Sequence, residues 1–155
     1  MGFSRAITIR RIRGTGILLA GAACLSVAHA QWAPSGALAA VKVVRDCDQT
    51  AGDVMATRLD PPTIYVCPLV VREVRRKHPG AETFFLVHEY GHIAQDTASE
   101  TLADCWAAHA LAGVPNGRRA IDAAVALFRQ RGEGAGGRYG SPAERARRIE
   151  DCATP

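Results

Sequence analysis

Two histidines four residues apart, His88 and His92, lie in an apolar run opened by Phe84, Phe85, Leu86 and Val87, with Glu89 between them. This H-E-x-x-H segment limits the fold more than any other part of the chain. Residues four apart stand one above the other on a helix face, so both imidazoles can bind one Zn²⁺, and Glu89, one position on from His88, reaches the water on that ion instead. The segment therefore predicts a helix from Ala81 to about Gln95, with its apolar residues packed so that the imidazoles are held still. Gly91, inside the motif, predicts close approach of a second backbone.

A zinc held by two histidines needs a third protein ligand, and a catalytic site leaves the fourth position to water. Glu100-Thr101-Leu102-Ala103-Asp104 opens the next helix after a connection of seven residues, which allows it to fold back on the first. Glu100 has the longer side chain and is the expected ligand. Asp104, one turn on, then accepts the N–H of a ligand imidazole and fixes its tautomer. The reverse assignment, with Asp104 on the metal, is the alternative.

Around this centre the pattern is α+β: a small sheet and about four helices. Two β-branched runs, 40–45 and 63–67, read as short strands joined by a loop rich in turn residues: Gly52, Asp60, Pro61 and Pro62. An amphipathic helix follows over 69–77 and stops at His78-Pro79-Gly80, where the cationic side chain suits the helix end. Arg72, Arg75, Arg76 and Lys77 read as its solvated face, with binding to an anionic surface as the lesser reading. Ser99 is positioned to cap a helix through Ala112, and Asn116 one through Gln130. Gly132 to Gly140 is a loop carrying five glycines, suited to a lid over the site. The last helix starts at a capping box, with Ser141 as the cap, Pro142 at the first helical position and Glu144 three after the cap.

The chemistry that such a site supports is hydrolysis of an amide: zinc polarises the carbonyl and activates water, and Glu89 takes the water's proton and passes it to the leaving amine. The developing oxyanion needs a further donor, for which Tyr139, Arg145, His109 and Tyr65 are candidates in that order. Arg145 has an equally good structural role as the partner of Glu144 or another nearby acid. His109 reads better as a packed or partly solvated residue, and Trp106 as a packing residue.

His88-Glu89-Tyr90-Gly91-His92 followed by Glu100-x-x-Ala103-Asp104-Cys105 resembles the core of the bacterial neutral zinc metallopeptidases of the gluzincin type. Tyr139-Gly140-Ser141-Pro142-Ala143-Glu144-Arg145 resembles that family's tail segment, with Tyr139 where the family carries a histidine. The resemblance implies a small zincin-like domain in which the short sheet packs on the H-E-x-x-H helix. It implies one zinc per chain on His88, His92 and Glu100, with Glu89 as catalytic base, and a peptide or protein substrate. Two other readings share the motif: a zinc-binding interaction module with little or no turnover, and an amidase acting on cell-wall peptides.

Charge and cysteines bear on where the chain works. It has 19 Lys and Arg against 15 Asp and Glu, yet Arg5, Arg10, Arg11 and Arg13 carry the excess, and residues 31–155 balance to zero. Counterion release therefore gives no drive to bind nucleic acid. Residues 1–30 read as a secretory signal: a basic start, an apolar run of 12 residues from Ile17 to Ala28, and small residues at Ala28 and Ala30. As a helix that run rises only about 18 Å, against a bilayer core of about 30 Å, so stable membrane insertion after cleavage is not expected. The domain is then 31–155, periplasmic or secreted, and Cys47, Cys67, Cys105 and Cys152 read as two disulfides in an oxidising compartment. Three pairings are open. The favoured one, Cys47 with Cys67 and Cys105 with Cys152, keeps each pair within one half of the fold.

Overall fold

The structure, a computed structural model, describes residues 32–132 and 140–154. The expected leader and Tyr139 lie outside them. Three strands, β1 (Lys42–Arg45), β2 (Met55–Arg58) and β3 (Thr63–Val66), are followed by five helices: α1 (Pro68–Lys77), α2 (Ala81–Ala94), α3 (Glu100–Ala112), α4 (Gly117–Arg131) and α5 (Pro142–Cys152). This is a small α+β fold, with the five helices in the stretches where the sequence pattern placed them and one strand more than it indicated. The additional strand, β2, occupies the stretch expected to be loop. Its four residues include a single β-branched one, Thr57, too weak a signal between turn residues to stand out.

The sheet runs β1-β3-β2, with β1 parallel and β2 antiparallel to the central β3. Its inner face meets α2 through β2, where Met55 joins the core, and Ile64 of the central strand is fully buried. His88, Glu89 and His92 of α2 are as deeply buried as its apolar residues, because α1, α3, α4 and β2 pack around it. A helix that is apolar on most sides has to be enclosed in this way. Phe84 and Val87 are fully buried beside Leu111 of α3, Ile121 of α4 and Ile149 of α5. Each such side chain contributes about 1.5–3 kcal/mol to the fold, which fixes the helix that carries the histidines.

Local chemistry sets the helix boundaries. Ser99 Oγ accepts the Leu102 N–H at 3.4 Å, and the capping box of α5 is complete: Ser141 Oγ accepts from Glu144 N–H at 3.2 Å while Glu144 Oε2 accepts from Ser141 N–H at 2.7 Å. Asn116 does precede α4, but its side chain makes no cap bond; its φ of 63° uses the tolerance of asparagine for the left-handed region. Two disulfides, Cys47–Cys67 and Cys105–Cys152, close as favoured. The second ties α3 to α5 beside the residues described below.

Gly91 is where α2 and α3 touch. A Cβ there would lie 2.9 Å from the Ala103 carbonyl oxygen and 3.3 Å from the Trp106 ring. Helix propensity alone makes Gly91→Ala stabilising by up to about 1 kcal/mol. The clash with backbone reverses the sign, and a net loss of about 1–3 kcal/mol is expected. A raised midpoint in urea unfolding would show that the two helices separate freely there.

Candidate metal centre

α2 presents His88 and His92 on one face, one turn apart, with their Nε2 atoms 3.1 Å from each other. The chain then turns back through Asp96, whose φ is 45°. His92 fastens this turn twice: its carbonyl accepts the Thr97 N–H at 3.0 Å, and its Nδ1–H donates to the Thr97 carbonyl at 2.8 Å. Thr97 Oγ1 in turn accepts the Ser99 N–H at 3.1 Å, so the cap of α3 is held against the end of α2. Glu100, the first residue of α3, is thereby placed with Oε2 3.1 Å from His88 Nε2 and Oε1 3.6 Å from His92 Nε2.

One ligand atom from each of His88, His92 and Glu100 lies within 4.8 Å of the others. These three residues could hold a metal ion. The chemistry of the set fits one, because the Nδ1 atoms of both histidines are already engaged and their Nε2 atoms face each other and a carboxylate. His88 Nδ1 meets Asp104 Oδ1 at 2.8 Å, the contact expected from the spacing. Asp104 is fully buried and does not face the gap between the Nε2 atoms.

Arg145 of α5 answers the charge on Asp104 with a two-point contact, Nε to Oδ2 and Nη2 to Oδ1, each 2.8 Å. Its guanidinium also stands over the Phe128 ring at 4.5 Å and 3.7 Å from Glu100 Oε2. Arg148 adds a longer contact to Asp104 at 3.4 Å. Of the two roles read for Arg145, the structure places it on an acid, but on Asp104 rather than Glu144. It also lines the cleft.

Glu89 is buried, 7% exposed. Its Oε2 accepts the Thr57 hydroxyl at 2.7 Å, so β2 positions the carboxylate from the side away from the histidines' own helix. Sequence reading missed Thr57, since it acts only once β2 pairs with β3. It also missed the Thr97 carbonyl, a backbone group that carries no residue-type signal. A cleft of about 440 Å³ opens over the cluster, bounded by Met55 and Thr57 of β2, Phe85, Phe128 and Arg145. His109 is exposed, and Tyr65 is half-buried with Arg58 over its ring; neither lines this cleft.

The electrostatics are those of a site short of positive charge. Burial pulls the His88 imidazole down, but hydrogen bonds to Asp104 and Glu100 outweigh it and raise His88 from 6.5 to about 9. Burial pushes the Glu100 carboxyl up, and bonds to His88 and His92 more than reverse this. Asp104 is lowered in the same way by His88 and Arg145. At Glu89 burial wins: the carboxyl is pushed above its ordinary range, opposed only in part by His88 and Thr57.

A raised histidine has a definite sign. In the metal-free chain its contribution to stability is full below pH 6.5 and is lost as pH rises through about 9. The same proton has to leave before His88 ligates a cation. Uptake of a divalent cation near neutral pH is therefore expected to release about one proton from His88, with affinity rising up to tenfold per pH unit toward pH 9. Calorimetric titration in buffers of different ionisation enthalpy measures this; uptake with no proton release would contradict it.

No model of a known protein family matches the chain, and neither does any curated protein or solved structure. The two disulfides fit an oxidising, extracytoplasmic location. Among the described residues no helix is long and apolar enough to cross a membrane.

Proposed function

We propose that the chain is an exported zinc-dependent peptidase, the class of hydrolase that the H-E-x-x-H core resembles, with His88, His92 and Glu100 as ligands and Glu89 as general base. The observation that carries the reading is Glu89, buried beside three converging ligands with one carboxylate oxygen fixed by Thr57. A structural zinc site is closed by four protein ligands and has no use for such a group.

Zinc bound here would polarise the scissile carbonyl and lower the pKa of water into the neutral range. The remaining work falls to the chain. Thr57 holds Glu89 Oε2, which leaves Oε1 to take the proton of the attacking water and deliver it to the leaving amine nitrogen. Asp104 and the Thr97 carbonyl keep the imidazole N–H groups turned away from the ligand face. Arg145 balances the charge of Asp104. Tyr139 remains the proposed donor to the oxyanion, with Arg145, at the cleft wall, as the other candidate.

An extended peptide suits the cleft. β2 is an edge strand, and with the Cys67 N–H donating to the Val54 carbonyl the ladder parity turns the backbone groups of Met55 and Thr57 to its free edge. A substrate strand would pair there. The test is cleavage of an unstructured protein by residues 31–155, with loss on chelation and recovery on adding zinc. Cleavage confined to cell-wall fragments would move the substrate to the amidase class. Neither activity in a zinc-loaded protein would leave the interaction module.

A further inference from the structure

The second free edge of the sheet has a different character. β1 pairs only with β3, and all four of its residues are exposed. The Asp46 N–H donates to the Val66 carbonyl, so in the parallel register Val44 also bonds inward. The N–H and C=O groups of Val43 and Arg45 therefore point outward. Their side chains share a face with Ile64 and Val66, the face that α2 packs against at β2 and that stays open at β1.

That uncovered face is a groove of about 870 Å³ between β1, α1 and α2. Val43, 49% exposed, and half-buried Val66, Val71 and Leu86 give it an apolar floor. Its rim is cationic. Arg45, Arg72 and Arg75 line it, and Glu82, its one acid, is taken by Arg75 at 2.8 Å and by the Gly80 N–H at 2.9 Å. Arg45 and Arg72 make no ion pair among the described residues. Exposed edges are ordinarily blunted by covering or by charge. Here the basic side chains flank an apolar hollow that remains open.

The geometry points to a docking site for an extended protein segment that carries an apolar and an acidic side chain two residues apart, and so on one face, added as a strand to the outer edge of β1. Backbone pairing with Val43 and Arg45 supplies affinity, and the groove supplies selection: an apolar side chain over Val43 and Leu86, a carboxylate at Arg45 and Arg72. A second copy of the chain fits poorly, since edge-to-edge contact sets Lys42 and Arg45 against the same basic residues. A flat anionic membrane meets the outside of α1 but reaches neither the floor nor the strand edge. The site is separate from the metal centre and does not depend on the peptidase reading.

A short blocked peptide repeating Val-Thr-Glu-Thr, which sets valine and glutamate on one face, is the probe, titrated by fluorescence anisotropy against residues 31–155 carrying their metal, beside a control with lysine for glutamate. Saturable binding of the acidic peptide alone is expected. Charge reversal at Arg45→Glu with Arg72→Glu should weaken it by about tenfold or more, equivalent to about 1.4 kcal/mol. Val43→Pro removes only an outward N–H, so it should retain the fold by circular dichroism and abolish binding. Glu89→Gln should bind as the parent does. Equal binding of the two peptides, or full binding by a folded Val43→Pro protein, overturns the proposal. So does uptake by anionic phospholipid vesicles without peptide binding, or a dimer that Val43→Pro dissolves.

Discussion

Glu89→Gln is expected to retain zinc and to lower kcat for peptide cleavage by about 10²–10⁴-fold, the range that a positioned general base contributes. Glutamine has the shape of glutamate, and its carbonyl oxygen still accepts the Thr57 hydroxyl that now meets Oε2 at 2.7 Å. What it lacks is the ability to take a proton. Metal content and unfolding midpoint should therefore stay near the parent values while turnover falls, with kcat and kcat/KM falling together because the lost interaction belongs to the transition state. Full activity in Glu89→Gln would remove Glu89 from the mechanism. Loss of both metal and activity would instead make its role structural, in keeping the cluster assembled.

The second large effect separates Glu100 from Asp104. Glu100→Ala removes one of three converging ligands and leaves the rest of the fold in place, so the metal is expected to be lost, while the metal-free unfolding midpoint near neutral pH falls only by the part of the His88 contact that Glu100 supplies. Asp104→Asn should do the opposite in degree. It keeps the shape but weakens the hold on His88, lowering metal affinity by about 10–100-fold. Asp104→Ala goes further, because it removes a fully buried carboxylate that holds both His88 Nδ1 and the part-buried guanidinium of Arg145, each at 2.8 Å, and losing one partner of such a pair costs up to about 3–5 kcal/mol. If Asp104→Asn released the metal entirely while Glu100→Ala retained it, the ligand assignment would be reversed.

Much of this centre is legible along the chain because it is built from local spacing. His88 and His92 share a helix face by their four-residue offset, Ser141, Pro142 and Glu144 announce α5, and the small side at Gly91 marks where α3 crosses. Glu100 follows from reach, since it opens the next helix after a short connection. Other parts depend on partners brought together only by the fold. Thr57 reaches Glu89 across 32 residues and Arg145 reaches Asp104 across 41. Nothing at either position names the other. Arg145 in particular has the chemistry of an oxyanion donor, and only packing of α5 on α3 shows it engaged with a buried acid. The strand β2 was hidden for a related reason: four residues with one β-branched side chain become a strand through pairing with β3 rather than by propensity.

The open groove beside β1 has the same origin. Val43 and Val44 read as strand residues with a face to bury, and the fold leaves them 49% and 37% exposed. A parallel pairing with β3 turns Val43 under the sheet, but α2 packs against β2 and α1 rather than beneath β1.

Zinc content of the purified 31–155 protein, measured by elemental analysis after dialysis that strips weakly held metal, tests the central claim most directly. About one zinc per chain is predicted for the parent protein and for Glu89→Gln, and close to none for Glu100→Ala. A parent chain that retains no zinc after reloading would contradict the metal centre and, with it, the proposed hydrolysis.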